Sequence, residues 1–192
     1  MKTIGILLFP HVEELDFVAP FEVLSYINKI QPASTNVLLI AQNQEPLTAA
    51  NGMRLLPHTT LSDCPALDVL VVPGGKGRLH AMRDKNLLAF VQAQAKNASY
   101  IASVCTGAFF LAEAGLLRGK KATTYHTAFA ELETYGIEVL PLKVVADGQI
   151  ISAGGVSSGL ELGFYLLREM FDVRLAQEVA DKIEYAVDVA AL

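Results

Sequence analysis

Cysteine is scarce in this 192-residue chain, which carries only Cys64 and Cys105. Two thiols in unlike contexts cannot form a disulfide framework, so the fold must rest on burial, and a reducing cytoplasm suits it. Charge is scarce as well. Charged residues make up 18% of the chain, against about 25% in an average soluble protein. Much of the chain must therefore be covered by an extensive core, by a subunit interface, or by both. Lysine and arginine form no run and the formal net charge is -5, which excludes the basic footprint of a nucleic-acid binder. No stretch reaches the roughly 20 apolar residues of a membrane helix. The start, Met1–Phe9, has a basic residue and an apolar run, but Pro10, His11 and an acidic pair follow without a small-residue cleavage site. It reads as a buried first strand, not a secretion signal. No Cys/His set has metal-ligand spacing, and neither a Walker A loop nor a Gly-x-Gly-x-x-Gly fingerprint is present. No metal and no cofactor is expected.

What is present is an alternation of short apolar runs with helical patterns. The runs Thr3–Phe9, Asn36–Ala41, Val69–Val72 and Tyr100–Val104 are continuous rather than alternating, as in parallel strands covered on both faces. Helices are expected over Phe17–Ile27, Leu87–Lys96, Thr106–Ala114, Ala128–Tyr135, Leu160–Met170 and Arg174–Glu184. Gly115 helps end the helix after Cys105, and Asp172 caps the last one. Two stretches read as hairpins: Leu47–Pro57 around Asn51-Gly52, and Lys143–Ser152 around Asp147-Gly148. The pattern predicts one α/β domain over residues 1–192, a three-layer, doubly wound, mostly parallel sheet.

Three segments converge at the carboxyl ends of the expected strands, where such sheets bind ligands. Cys105 follows one strand within Ser103-Val104-Cys105-Thr106-Gly107. Small residues two before and two after it are what a sharp strand-to-helix turn needs, as in the nucleophile elbow of hydrolases. A thiol at such a turn faces unsatisfied N–H groups and the positive end of a helix dipole, which favour the thiolate. The alternative is a buried structural cysteine, the reading given to Cys64. A second segment, Pro73-Gly74-Gly75-Lys76-Gly77, lets backbone approach a ligand, and its N–H groups are candidate oxyanion donors beside that of Thr106. The third is the acidic stretch Glu13-Glu14-Leu15-Asp16. Asp16, just before Phe17, is an N-cap, a carboxyl partner for the thiol, or both. Thr106 offers a hydroxyl, and His126 a base or a substrate contact.

Together these residues resemble the ThiJ/PfpI superfamily, whose fold is glutamine-amidotransferase-like and flavodoxin-like. The similarity runs from Gly5-Ile6-Leu7-Leu8-Phe9-Pro10 through Leu15-Asp16-Phe17-Val18-Ala19-Pro20, Val72-Pro73-Gly74-Gly75 and Ser103-Val104-Cys105-Thr106-Gly107 to the C-terminal helices. Cys-Thr-Gly at the elbow and Leu-Asp-x-x-x-Pro after the first strand resemble the isonitrile hydratase branch. Protease-like members carry histidine where this chain has Thr106. The relatives' Thr-Thr-His-Trp corresponds to Thr123-Thr124-Tyr125-His126, which displaces the histidine by one residue.

The resemblance implies a homodimer acting on a small-molecule substrate, with Cys105, Asp16 and Thr106 in catalysis. Gly74, Gly75 and His126 would bind the substrate. The implied reaction is hydration of an isonitrile to an N-substituted formamide. The alternatives are glyoxalase-type conversion of 2-oxoaldehydes by the same thiol, or a cysteine redox sensor without turnover.

Overall fold

The computed structural model describes residues 1–192. In chain order it contains β1 (Lys2–Leu7), α1 (Glu14–Tyr26), β2 (Thr35–Ala41), β3 (Leu47–Thr48), β4 (Arg54–Leu55), β5 (Thr59–Thr60), β6 (Val69–Val72), α2 (Arg78–Ala81), α3 (Lys85–Gln94) and β7 (Tyr100–Val104). These are followed by α4 (Ala108–Glu113), β8 (Lys121–Ala122), α5 (Phe129–Glu133), β9 (Glu138–Val139), β10 (Val144–Asp147), β11 (Ile150–Ala153), α6 (Gly159–Met170) and α7 (Val173–Lys182).

Seven strands form one sheet in the order β10-β11-β7-β6-β1-β2-β5. All neighbours are parallel except the β10–β11 hairpin. The central strand β6 is buried at every residue, which accounts for its uninterrupted apolar run. Helices α1, α6 and α7 pack together, as do α3, α4 and α5, and the sheet lies between helices on both sides. The α1–α6 crossing is close because α6 presents glycine: a Cβ on Gly163 would lie 2.8 Å from Val23 Cγ1, and one on Gly159 3.1 Å from Pro20 Cδ.

Both expected hairpins form, with Gly52 and Gly148 at positive φ in their turns. Asp172 caps α7 by accepting from the Leu175 N–H at 2.8 Å, and Gly115, at φ 78°, follows α4. Three helix starts differ by two or more residues. Helix α1 starts at Glu14, three residues before the expected start, because Glu13 already has the extended backbone of a cap. Asp16 is therefore inside the first turn and caps nothing. Helix α3 starts at Lys85 because Asp84 accepts from the Asn86 and Leu87 N–H groups. The segment after Cys105 is a 3₁₀ turn, Cys105–Gly107, before α4 begins.

Candidate active site

Cys105 has a φ of 55°. That left-handed conformation costs a non-glycine residue about 1–3 kcal/mol and must be imposed by its surroundings. The surroundings are visible. The Cys105 N–H donates to the Gly154 carbonyl at 2.8 Å, and the Cys105 carbonyl accepts from Thr124 Oγ1 at 2.8 Å. Two residues on, Gly107 lies against the end of β6. A Cβ there would run into the Val72 carbonyl oxygen and come within 2.9 Å of the Pro73 carbonyl. Two residues back, Ser103 is fully buried in β7. The small-x-Cys-x-Gly spacing thus reflects crowding at a strand-to-helix elbow.

The Asp16 carboxyl is fully buried. Its Oδ2 accepts from the Gly74 N–H at 2.9 Å, while Oδ1 has no hydrogen-bond partner. Pro20, four residues on in α1, has no N–H to give the Asp16 carbonyl. Burial pushes the Asp16 carboxyl up to about 7, with repulsion from Glu13 adding and the Gly74 N–H and Cys105 thiol opposing. Burial also pushes the Cys105 thiol up to about 12, and the neighbouring Asp16 charge adds to this. The Thr106 and Val156 N–H groups and the Thr106 hydroxyl pull the other way without prevailing. The expected fall of the thiol towards neutrality does not occur, because a six-residue helix behind a 3₁₀ turn offsets little of the cost of burying sulfur beside a carboxylate. Together the two groups hold two protons below about pH 7 and one above it.

The two N–H groups of the Gly74-Gly75 turn are already engaged. Gly74 donates to Asp16, and Gly75 donates to Thr106 Oγ1 at 3.2 Å. The turn orients the side chains instead of offering a free oxyanion pair. A Cβ on Gly74 would lie 2.6 Å from the Thr106 nitrogen and 3.0 Å from Asp16 Oδ2. Gly75, at φ 115°, has no room for a Cβ against Glu13 and His11 backbone.

A cavity of about 420 Å³ opens on the thiol. Its walls are Glu13, Gly75, Lys76, Arg78, Leu79, Thr106, Tyr125 and Val156. His126 is not among them. It lines a neighbouring cavity of about 250 Å³ with Phe129, Lys143 and Ser158. The two rings of Tyr125 and His126 meet edge to face at 4.5 Å between centroids, and Tyr125 lies against Gly155, where a Cβ would come within 2.9 Å of its Cδ2. Successive side chains of the Thr123–His126 segment point to different sides, so the one-residue displacement puts tyrosine at the thiol. Arg78, Lys76, Leu79 and Val156 were not singled out by the sequence, since isolated residues after a turn carry no periodic signal. A larger cavity, about 570 Å³, lies near the ends of β1 and β2 between His11, Thr48 and His80. It contains neither Cys105 nor Asp16. No group of three or more metal-ligating side chains occurs.

The DJ-1/PfpI family pattern matches residues 2–169. The chain is 41% identical over 183 residues to the isonitrile hydratase of Pseudomonas putida, covering 95% of this chain and 78% of that protein. A ThiJ/PfpI family protein from Pseudomonas syringae superposes with a TM-score of 0.90 at 32% identity, over 97% of this chain and 76% of that one. Drosophila melanogaster DJ-1beta superposes with a TM-score of 0.86 at 25% identity, over 97% and 99%. With the elbow, the Gly74 turn and Asp16 all inside the matched span, the chain belongs to the DJ-1/PfpI family.

Proposed function

We propose that this protein hydrates an isonitrile to an N-substituted formamide, with Cys105 as nucleophile and Asp16 as the proton carrier. The observation that carries the proposal is the buried Asp16–Cys105 pair, whose single shared proton above about pH 7 is the inventory the reaction needs. In that state the proton rests on sulfur, the group with the higher value, and passes to the Asp16 carboxylate as sulfur attacks. The sulfur lone pair forms a bond to the terminal isonitrile carbon, and the Asp16 proton moves to that carbon. The product is a thioimidate on Cys105, with Asp16 ionised. The carboxylate then takes a proton from water as its oxygen adds to the same carbon, and the nitrogen is protonated in turn. The carbon–sulfur bond breaks as the carbonyl forms, releasing the formamide and restoring the one-proton pair. Thr106 and the Val156 N–H, both directed at the thiol, hold the sulfur during these steps. The identity to the Pseudomonas putida isonitrile hydratase supports the same substrate class.

Two other readings are weaker. A redox sensor requires a thiol that ionises easily, whereas burial holds this one up at about 12. The glyoxalase-type reading lacks a histidine base at the thiol, since His126 lines the neighbouring cavity. The test is turnover against a panel of isonitriles and 2-oxoaldehydes, with Cys105→Ala as control. Formamide formation from isonitriles alone is expected. Conversion of the oxoaldehydes in place of isonitriles would overturn the proposal. The homodimer implied by the family fits an exposed apolar patch formed by Leu15 and Val18 of α1 with Met53 of the β3–β4 hairpin. Asn51 and Met53 N–H groups bind Glu14 of α1 at 2.7 and 3.4 Å and fix that hairpin against the helix.

A further inference from the structure

Arg78 stands at the start of α2 on the wall of the Cys105 cavity. Its guanidinium is held on two sides. Nη2 donates to both carboxylate oxygens of Glu131, at 3.0 and 2.8 Å, and the cation lies 4.0 Å from the centroid of the Phe109 ring. Its side chain is 11% exposed, and Nη1 is buried with no hydrogen-bond partner. A fixed, always-charged guanidinium on the cavity wall is a donor site for an anion, and the planar fork matches a carboxylate. Lys76 lines the same cavity and forms no ion pair. Glu13, the acidic group on the wall, is drawn towards the β3–β4 hairpin by Asn51, whose Nδ2 donates to Glu13 Oε1 at 3.2 Å. The positive groups therefore have no competing internal acceptor other than Glu131.

We propose that Arg78 recognises a carboxylate on the substrate, assisted by Lys76, so that the isonitriles processed at Cys105 are isocyano carboxylates. This rests on the isonitrile reading for its chemistry but not for its anion recognition. The carboxylate lies against the guanidinium on the cavity wall while the isonitrile carbon reaches the sulfur. Glu131 and Phe109 position the fork in advance, so little rotamer freedom is lost on binding.

The experiment compares 4-isocyanobenzoate with its neutral methyl ester on one preparation of the whole protein. Hydrogen bonds to a charged partner change affinity by about 10- to 100-fold. In the wild type the KM for the acid is expected at least about tenfold below that of the ester, with kcat similar. In Arg78→Gln the ratio of the two KM values falls to about one. Because the readout is a ratio, partial loss of folded protein cancels. If that variant does not fold, Arg78→Lys keeps the charge without the fork, and the ratio should drop at least about threefold. Equal KM values in the wild type, or a preference that survives either substitution unchanged, overturns the proposal. Alkylation of Cys105 by iodoacetamide, with benzoate or benzamide as protectant, reads anion recognition without turnover. Better protection by benzoate, lost in Arg78→Gln, supports it even if no isonitrile is hydrated, in which case only the isonitrile reading falls. Equal protection by the two overturns the carboxylate site and leaves isonitrile hydration standing.

Discussion

Asp16 and Glu161 are both buried carboxyl groups, and the fold satisfies them differently. Glu161, on α6, is paired: its Oε1 accepts from the Lys143 ammonium and, at 2.9 Å, from the Tyr185 hydroxyl. Asp16, on α1, has no cation. One backbone N–H and a neighbouring thiol are its polar surroundings. A buried charge with its partners in place is structural, and removing one partner leaves the other exposed to the cost. A buried carboxyl without a counter-ion holds its proton close to neutral pH, where it can be passed to a reacting atom. Substitutions at the two sites should therefore move stability in opposite senses, and activity at Asp16 alone.

The largest expected effect is on turnover. Asp16→Asn keeps an acceptor for the Gly74 N–H and removes the proton carrier. Hydration should fall by about 10²–10⁴-fold, the usual contribution of general acid–base catalysis, in a protein whose circular dichroism is unchanged. Glu161→Gln should leave kcat within about twofold. Equal losses at both positions would erase the distinction drawn above.

Next comes the stability of the same two variants. The folded Asp16 value of about 7 lies above its ordinary 3.8, so the neutral form is favoured in the folded protein. Its contribution is fully present below about pH 4 and is lost as pH rises through about 7. The loss is on the order of 4 kcal/mol by pH 8. Asp16→Asn should therefore raise Tm at pH 8, and the gain should shrink towards pH 5. Glu161→Gln should lower stability by about 1–3 kcal/mol by weakening the acceptor for Lys143 and Tyr185. Thermal melts at both pH values check this; an Asp16→Asn gain that does not depend on pH would contradict it.

A smaller effect concerns crowding. Gly74→Ala places a methyl group between Thr106 and Asp16. It should cost about 1–3 kcal/mol of stability by displacing backbone and reduce turnover beyond what that instability explains. Measurement of kcat on protein shown to be folded by its melting curve separates the two.

Much of the site could be read from the chain because steric rules leave marks on sequence. Ser103 and Gly107 frame Cys105 because the elbow has no room for bulk, and a strand-end position brought Asp16 towards the same crevice. Other features are set by tertiary geometry alone. The Gly74 and Gly75 N–H groups spend their hydrogen bonds on Asp16 and Thr106, which depends on how three loops meet. The thiol rises instead of falling because burial and a carboxylate outweigh a short helix, a balance with no sequence signature. Tyr125 replaces His126 at the cavity through the direction of one extended segment. Of the fold, the strand runs Val69–Val72 and Tyr100–Val104 match to the residue. The helix starts at Glu14 and Lys85 shifted, because the caps sit one or more residues earlier than periodicity alone suggests.

The central claim, that Asp16 and Cys105 act as one proton-sharing pair, meets its most direct test in the pH dependence of kcat/KM for one isonitrile between pH 5 and 10. The rate should rise with a single ionisation near 7 and then stay level, and the rise should vanish in Asp16→Asn. A midpoint near 8.5, where an independent thiol would titrate, or a profile unchanged by Asp16→Asn, would contradict it.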